Sequence, residues 1–203
     1  MIDKAVEVLK RGGVVVYPTD TAYGLAVDAT NEKAVKKLYR LKGRNFKNPI
    51  HVILPHLLTG PYGSIIEINA STKKLIKKFF PGPITLVLPL KARGKSWQLL
   101  SAGTKNLGIR LPKNKIALQL AKKFGKPITA TSANIAGKDN TYSTLEVRKQ
   151  FQKSKKKPDF YLDGGRLVKR KPSTVVLLTT KDAKILREGP ISKKQIDKVL
   201  RNN

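Results

Sequence analysis

Two pairs of residues, far apart in the chain, have types and spacings suited to phosphate chemistry. Lys42 and Arg44 flank a glycine in L-K-G-R-N-F-K-N-P (41–49), and Ser132 and Asn134 flank an alanine in P-I-T-A-T-S-A-N (127–134). In an extended chain, residues two apart point to the same side. Ser132 and Asn134 would then offer a hydroxyl and an amide to phosphate or ribose oxygens, with Thr129 and Thr131 facing the other way. The glycine between Lys42 and Arg44 suggests an irregular backbone on which two cations converge on one polyphosphate. A helix dipole alone would favour one or two cations at that place. P-T-D-T-A-Y-G-L (18–25) adds the Thr19 and Thr21 hydroxyls, the Asp20 carboxylate and a conformationally free Gly24. Taken singly, S-A-N reads equally well as a turn, and 18–25 as an ordinary loop.

The elements around these residues alternate. Helical spacing over 3–11 stops at Gly12-Gly13, and V-V-V-Y (14–17) is a β-branched strand broken by Pro18. Asn31 caps a helix that ends near Gly43, so Lys42 and Arg44 sit at its C-terminus. Strands are expected at 50–54, 84–88, 107–111, 128–134, 159–163 and 173–178. Helices are expected at 71–80, 116–124, 143–152 and beyond Ser192. Ser143 with Glu146 and Ser192 with Gln195 form capping boxes, and Ile191 with Ile196 a hydrophobic staple. A loop holds Pro55, Gly60, Pro61 and Gly63. Interleaved strands and helices without a composition break predict one α/β domain over 1–203, with a mixed sheet flanked by helices. The ligand is expected at strand carboxyl ends.

Composition narrows the partners. The 203 residues carry 42 Lys and Arg against 13 Asp and Glu, a net charge of +29. Such an excess points first to a nucleic acid and second to an anionic membrane surface, or to lysines decorating solvated faces. Cysteine is absent, which excludes disulfides and thiolate metal sites. The chain shows no signal-peptide pattern and no apolar run of about 20 residues, and it reads as cytoplasmic. A Walker phosphate loop, a dinucleotide glycine fingerprint, H-E-x-x-H and G-x-S-x-G are all missing. His51 and His56 straddle Pro55 and make a poor metal pair.

Together the motifs resemble the YrdC-like family of threonylcarbamoyl-AMP synthases. They are P-T-D-T-A-Y-G-L, K-G-R with N-P four to five residues beyond the arginine, F-P-G-P-I-T-L-V-L (80–88), G-I-R-L-P (108–112), T-S-A-N-I-A-G (131–137), S-T-V-V (173–176) and I-L-R-E-G (185–189). The likeness runs in consistent order from about residue 3 to 190. It implies a twisted mixed sheet with a basic concave face, in a short form without an extra C-terminal domain. It also implies condensation of L-threonine, bicarbonate and ATP, with Mg2+, into threonylcarbamoyl-AMP and pyrophosphate. The product serves N6-threonylcarbamoyladenosine formation in tRNA, so tRNA or other RNA and further subunits of that machinery are implied partners.

Carried over by position, Lys42 and Arg44 are the implied catalytic residues. Asn48, Asn106, Ser132, Asn134, Asn140 and Arg187 join them around ATP. Thr21, His51, Arg110, Ala130 and Thr174 would surround threonine, and no protein metal site is implied. Three positions depart from the usual pattern. His51 comes three rather than five residues after Asn48, Asn106 stands where a threonine is common, and Asp139-Asn140 replaces a proline-serine pair. Two other readings are a weakly catalytic RNA-binding relative and a hydrolase or carbamoyl-transfer module acting on a similar adenylate.

Overall fold

The computed structural model describes residues 1–57, 62–179 and 183–201. The part of the expected loop at Gly60 and Pro61 lies outside them. Seven α-helices and nine strands are described: α1 (Ile2–Lys10), β1 (Val15–Tyr17), β2 (Gly24–Ala26), α2 (Glu32–Lys42), β3 (His51–Ile53), α3 (Ala70–Phe79), β4 (Ile84–Pro89), α4 (Lys95–Leu100), β5 (Asn106–Arg110), α5 (Lys115–Phe124), β6 (Ile128–Ser132), α6 (Thr144–Phe151), β7 (Phe160–Tyr161), β8 (Thr174–Leu178), β9 (Ala183–Arg187) and α7 (Lys193–Arg201). The strands form one mixed sheet in the order β7-β1-β2-β6-β3-β5-β4-β8-β9.

The helix ends follow the side chains that can satisfy orphan backbone groups. The Asn31 side chain accepts from the Ala34 amide, and Gly43 closes α2 in the left-handed region at φ 59°. At the start of α7 the Ser192 amide donates to Gln195, and the Gln195 amide to Ser192. Ile191 packs on the core beside buried Ile196, as the staple requires. Three of these helices and strands lie outside the expected elements. β2 has only three residues and includes a glycine, α4 has no side-chain cap, and β9 is an edge strand with no fully buried residue.

Alternate strand residues feed two separate cores. The larger contains Leu38 of α2, Leu75 of α3, Val147 of α6 and Ile196 of α7, against Val52, Leu86, Ile109 and Val176 of the sheet. The smaller joins Leu9 of α1 and Leu120 of α5 to Val15, Tyr17, Ala26, Ile53, Ile128 and Ala130. Its buried strand residues come from β1, β2, β3 and β6, with Phe160 of β7 packed against them. On that face the α1–α5 cover therefore stops near β3. Beyond it, Arg110 on β5 and Val175 on β8 face a cavity rather than a helix, and Gly108 meets the His51 ring.

Candidate active site

A cavity of about 290 Å³ opens where this helical cover ends. Its wall draws on the 18–25 turn through Thr19 and Thr21, on Arg44 and His51, on Arg110 and Ser132, and on Ser173 and Arg187. Arg44 and Ser132 thus line one space. β6 lies between β2 and β3, pairing Ser132 with Gly24 and His51 with Ala130. This places the strand end of 127–134 against both the 18–25 turn and the 44–51 loop.

Three guanidiniums, from Arg44, Arg110 and Arg187, share the wall. Arg44 is braced by carbonyl oxygens, its Nε donating to Asn48 at 3.3 Å and its Nη2 to Pro49 at 3.0 Å. Arg187 donates to the Ser173 carbonyl at 2.8 Å and its hydroxyl at 3.1 Å. A bulge aims it: Val175 pairs with Arg187 and Val176 with Ile185, so Leu186 is the extra residue. Ile185 then packs on the larger core while Arg187, one register further, reaches the cavity.

Arg110 has an anionic partner. Its Nη2 lies 2.5 Å from Asp20 Oδ1 and 2.7 Å from Thr21 Oγ1, and both ion-pair side chains are largely buried. Its Nε is buried with no partner among the described residues. A buried donor without an acceptor costs about 1–3 kcal/mol, so a ligand oxygen at this place would gain by satisfying it.

His51 lies between these charges on β3. An added Cβ at Gly108 would fall 2.3 Å from the imidazole Cδ2, so only glycine lets the ring lie against β5. Burial, followed by the charges of Arg187, Arg110 and Arg44, pushes its pKa down to about 3. The folded ring is neutral, whereas an unfolded histidine takes a proton near pH 6.5. This group's stability is therefore present above pH 6.5 and lost as pH falls toward 3. His51→Gln is expected to flatten the decline in unfolding free energy between pH 7 and 4, measured by urea titration. An unchanged slope would refute an imidazole held neutral by the fold.

The other expected site residues divide clearly. Thr21, Ala130 and Asn140 also line the cavity. Lys42 does not, because its ammonium points into the 132–134 turn. It donates to the Ser132 carbonyl at 2.5 Å, the Asn134 carbonyl at 2.7 Å and Asn134 Oδ1 at 3.0 Å. Only 1% of the residue is exposed, and burial, with Arg44 nearby, pushes its pKa down to about 7. Asn134 is committed to the same turn, accepting from Ser132 Oγ at 2.7 Å and donating to the Lys138 carbonyl.

The remaining three also fall outside the cavity wall. The Thr174 hydroxyl bonds to Ile191, because its strand parity is that of core residue Val176 rather than of Val175. Asn106 shares the face of Arg110 but sits four residues away, about 13 Å along β5. Asn48 contributes its carbonyl to Tyr39 and Arg44 while its side chain stays outside.

Lys42 is thus placed to hold Ser132 rather than to touch a ligand. Lys42→Met would strand buried oxygens at about 1–3 kcal/mol, lowering Tm by roughly 2–12 °C for a chain of this size. Calorimetry checks this, and an unchanged Tm would contradict the tie.

The Sua5/YciO/YrdC family profile, described as telomere recombination, matches residues 7–189. The chain belongs to the Sua5/YciO/YrdC family. It is 34% identical to the threonylcarbamoyl-AMP synthase of Pyrococcus abyssi, over 95% of this chain and 55% of that protein. With the Bacillus subtilis threonylcarbamoyl-AMP synthase the identity is 35%, over 98% and 56%. The chain therefore spans about half the length of these two relatives. It covers 87% of a putative threonylcarbamoyl-AMP synthase of Methanocaldococcus jannaschii at 34% identity. Among solved structures, P. abyssi Sua5 complexed with L-threonine matches with TM-score 0.87 at 33% identity, over 98% of this chain and 56% of that one. Escherichia coli YciO matches with TM-score 0.82 at 29% identity, over 96% and 92%. Within the family frame, the partners of the cavity arginines, Asp20 and Ser173, are the residues that motif matching left without a role. The signal for Asp20 was its place as the lone acid of P-T-D-T.

Proposed function

We propose that the chain makes threonylcarbamoyl-AMP and pyrophosphate from L-threonine, bicarbonate and ATP, and so supplies N6-threonylcarbamoyladenosine modification of tRNA. The observation that carries this reading is the convergence of Arg44, Arg110, Arg187 and Ser132 on one cavity whose only histidine is held neutral. The threonine amine and bicarbonate give a carbamate and water. A carbamate oxygen then attacks the α-phosphorus, and the bond to pyrophosphate breaks. The nucleophile is already an anion, so that step needs positioning and charge neutralisation rather than a protein base.

Arg110, with its unpartnered Nε beside Thr21, suits the threonine carboxylate. Arg44, Arg187, Ser132 and Asn140 suit ATP, with Arg44 the catalytic cation. Ala130 and His51 would form the floor under threonine, and Lys42 and Asn134 keep Ser132 in place. Among the described residues no three His, Cys, Asp or Glu side chains gather into a metal cage. Asp20 is already bonded to Arg110, so Mg2+ would enter on the triphosphate, neutralising its charge and keeping its own waters.

The proposed setting is cytoplasmic, with tRNA or another RNA and other threonylcarbamoylation proteins as partners. Among the described residues no helix is long and apolar enough to cross a membrane. The test is a pyrophosphate assay with each substrate omitted in turn. Release is expected only when all three are present. Release without threonine, or none with the full set, would overturn the reading.

A further inference from the structure

The 43–50 loop has a second face that the adenylate chemistry does not use. While Arg44 turns into the cavity, Phe46 lies 42% exposed on the outside, with its ring stacked on Tyr39 at 4.7 Å and 28° between planes. Tyr39 is fully buried, and its hydroxyl lies 2.9 Å from both the Asn48 and Leu99 carbonyl oxygens. The inner face of Phe46 is therefore braced and the outer face open. Phe46 forms one wall of a shallow surface cavity of about 510 Å³, with Lys36, Lys47 and Lys95 around it. The carboxylate of that wall, Glu32, is bonded to Lys36 at 2.5 Å. Lys47 and Lys95 make no ion pair among the described residues.

We propose that this surface binds single-stranded RNA, with an unpaired base stacked on Phe46 and the flanking phosphates on Lys47 and Lys95. Every base has a π-face, and an aromatic platform bordered by cations is how single strands are held without sequence readout. A net charge of +29 supplies the long-range attraction. A membrane would need several exposed apolar side chains together, whereas this one aromatic stands among lysines. The choice of RNA rests on the tRNA link of the proposed function. The site itself rests on the stacking and charge geometry alone.

Fluorescence anisotropy with a labelled single-stranded RNA, without ATP or threonine, tests it. Phe46→Leu is expected to weaken binding about 5- to 150-fold with the salt dependence unchanged, and Phe46→Trp to retain it. Lys47→Gln and Lys95→Gln are each expected to lower the slope of log affinity against log salt by about 0.7. Pyrophosphate release measured in parallel should stay at the wild-type level in Phe46→Leu, so a failed synthase reading and a failed RNA site remain distinguishable. Equal RNA affinity of Phe46→Leu and wild type, an equal loss for duplex and single strand, or no RNA binding by the wild type overturns the proposal.

Discussion

Arg44→Ala is expected to lower pyrophosphate release by about 10²–10³-fold, the usual effect of removing one pre-positioned donor from developing charge. Folding should hardly change. The guanidinium is braced by the carbonyls of Asn48 and Pro49, which lie in an exposed loop where water can replace it. A Tm within roughly 2 °C of wild type is therefore expected. Arg44→Lys keeps the charge but loses the planar fork, so its rate should fall between the two. Steady-state kinetics with thermal melts of the three proteins check this. A wild-type rate in Arg44→Ala would remove the residue from the reaction.

Arg110 behaves differently because its partner is a buried carboxylate. Arg110→Met leaves Asp20 without its cation, and breaking a buried ion pair by removing one side costs about 3–5 kcal/mol. For a chain of this size that is a fall in Tm of roughly 6–20 °C. The double variant with Asp20→Asn is expected to recover most of the stability and none of the threonine-dependent turnover. That split separates the structural role of the pair from its ligand role. Recovery of activity together with stability would mean that Arg110 only holds the fold.

The sequence showed most of the helices because their ends are written locally, in Asn31, Ser143, Ser192 and the glycine after Lys42. The K-G-R and S-A-N motifs also single out Arg44 and Ser132, and the two line one cavity. The direction of each side chain was harder to read. Strand parity turns Thr174 into the core interface and leaves Val175 on the cavity. An extra residue at Leu186 reverses that logic for Arg187, and nothing in A-K-I-L-R marks the bulge. The glycine between Lys42 and Arg44, and the family motif, make Lys42 a candidate phosphate ligand. Its burial depends on three acceptors contributed by a turn some ninety residues away, which no local pattern encodes. Asn106 shares the face of Arg110 but lies at the other end of β5. The neutrality of His51 needed the positions of three arginines and a glycine together.

The central claim is that the loop after α2 and the end of β6 form one cradle for a triphosphate. A crystal structure with a non-hydrolysable ATP analogue and L-threonine tests it most directly. The account predicts the phosphates between Arg44, Arg187 and Ser132, with the amino-acid carboxylate on Arg110. A nucleotide bound elsewhere on the molecule, with these four side chains left facing water, would contradict it.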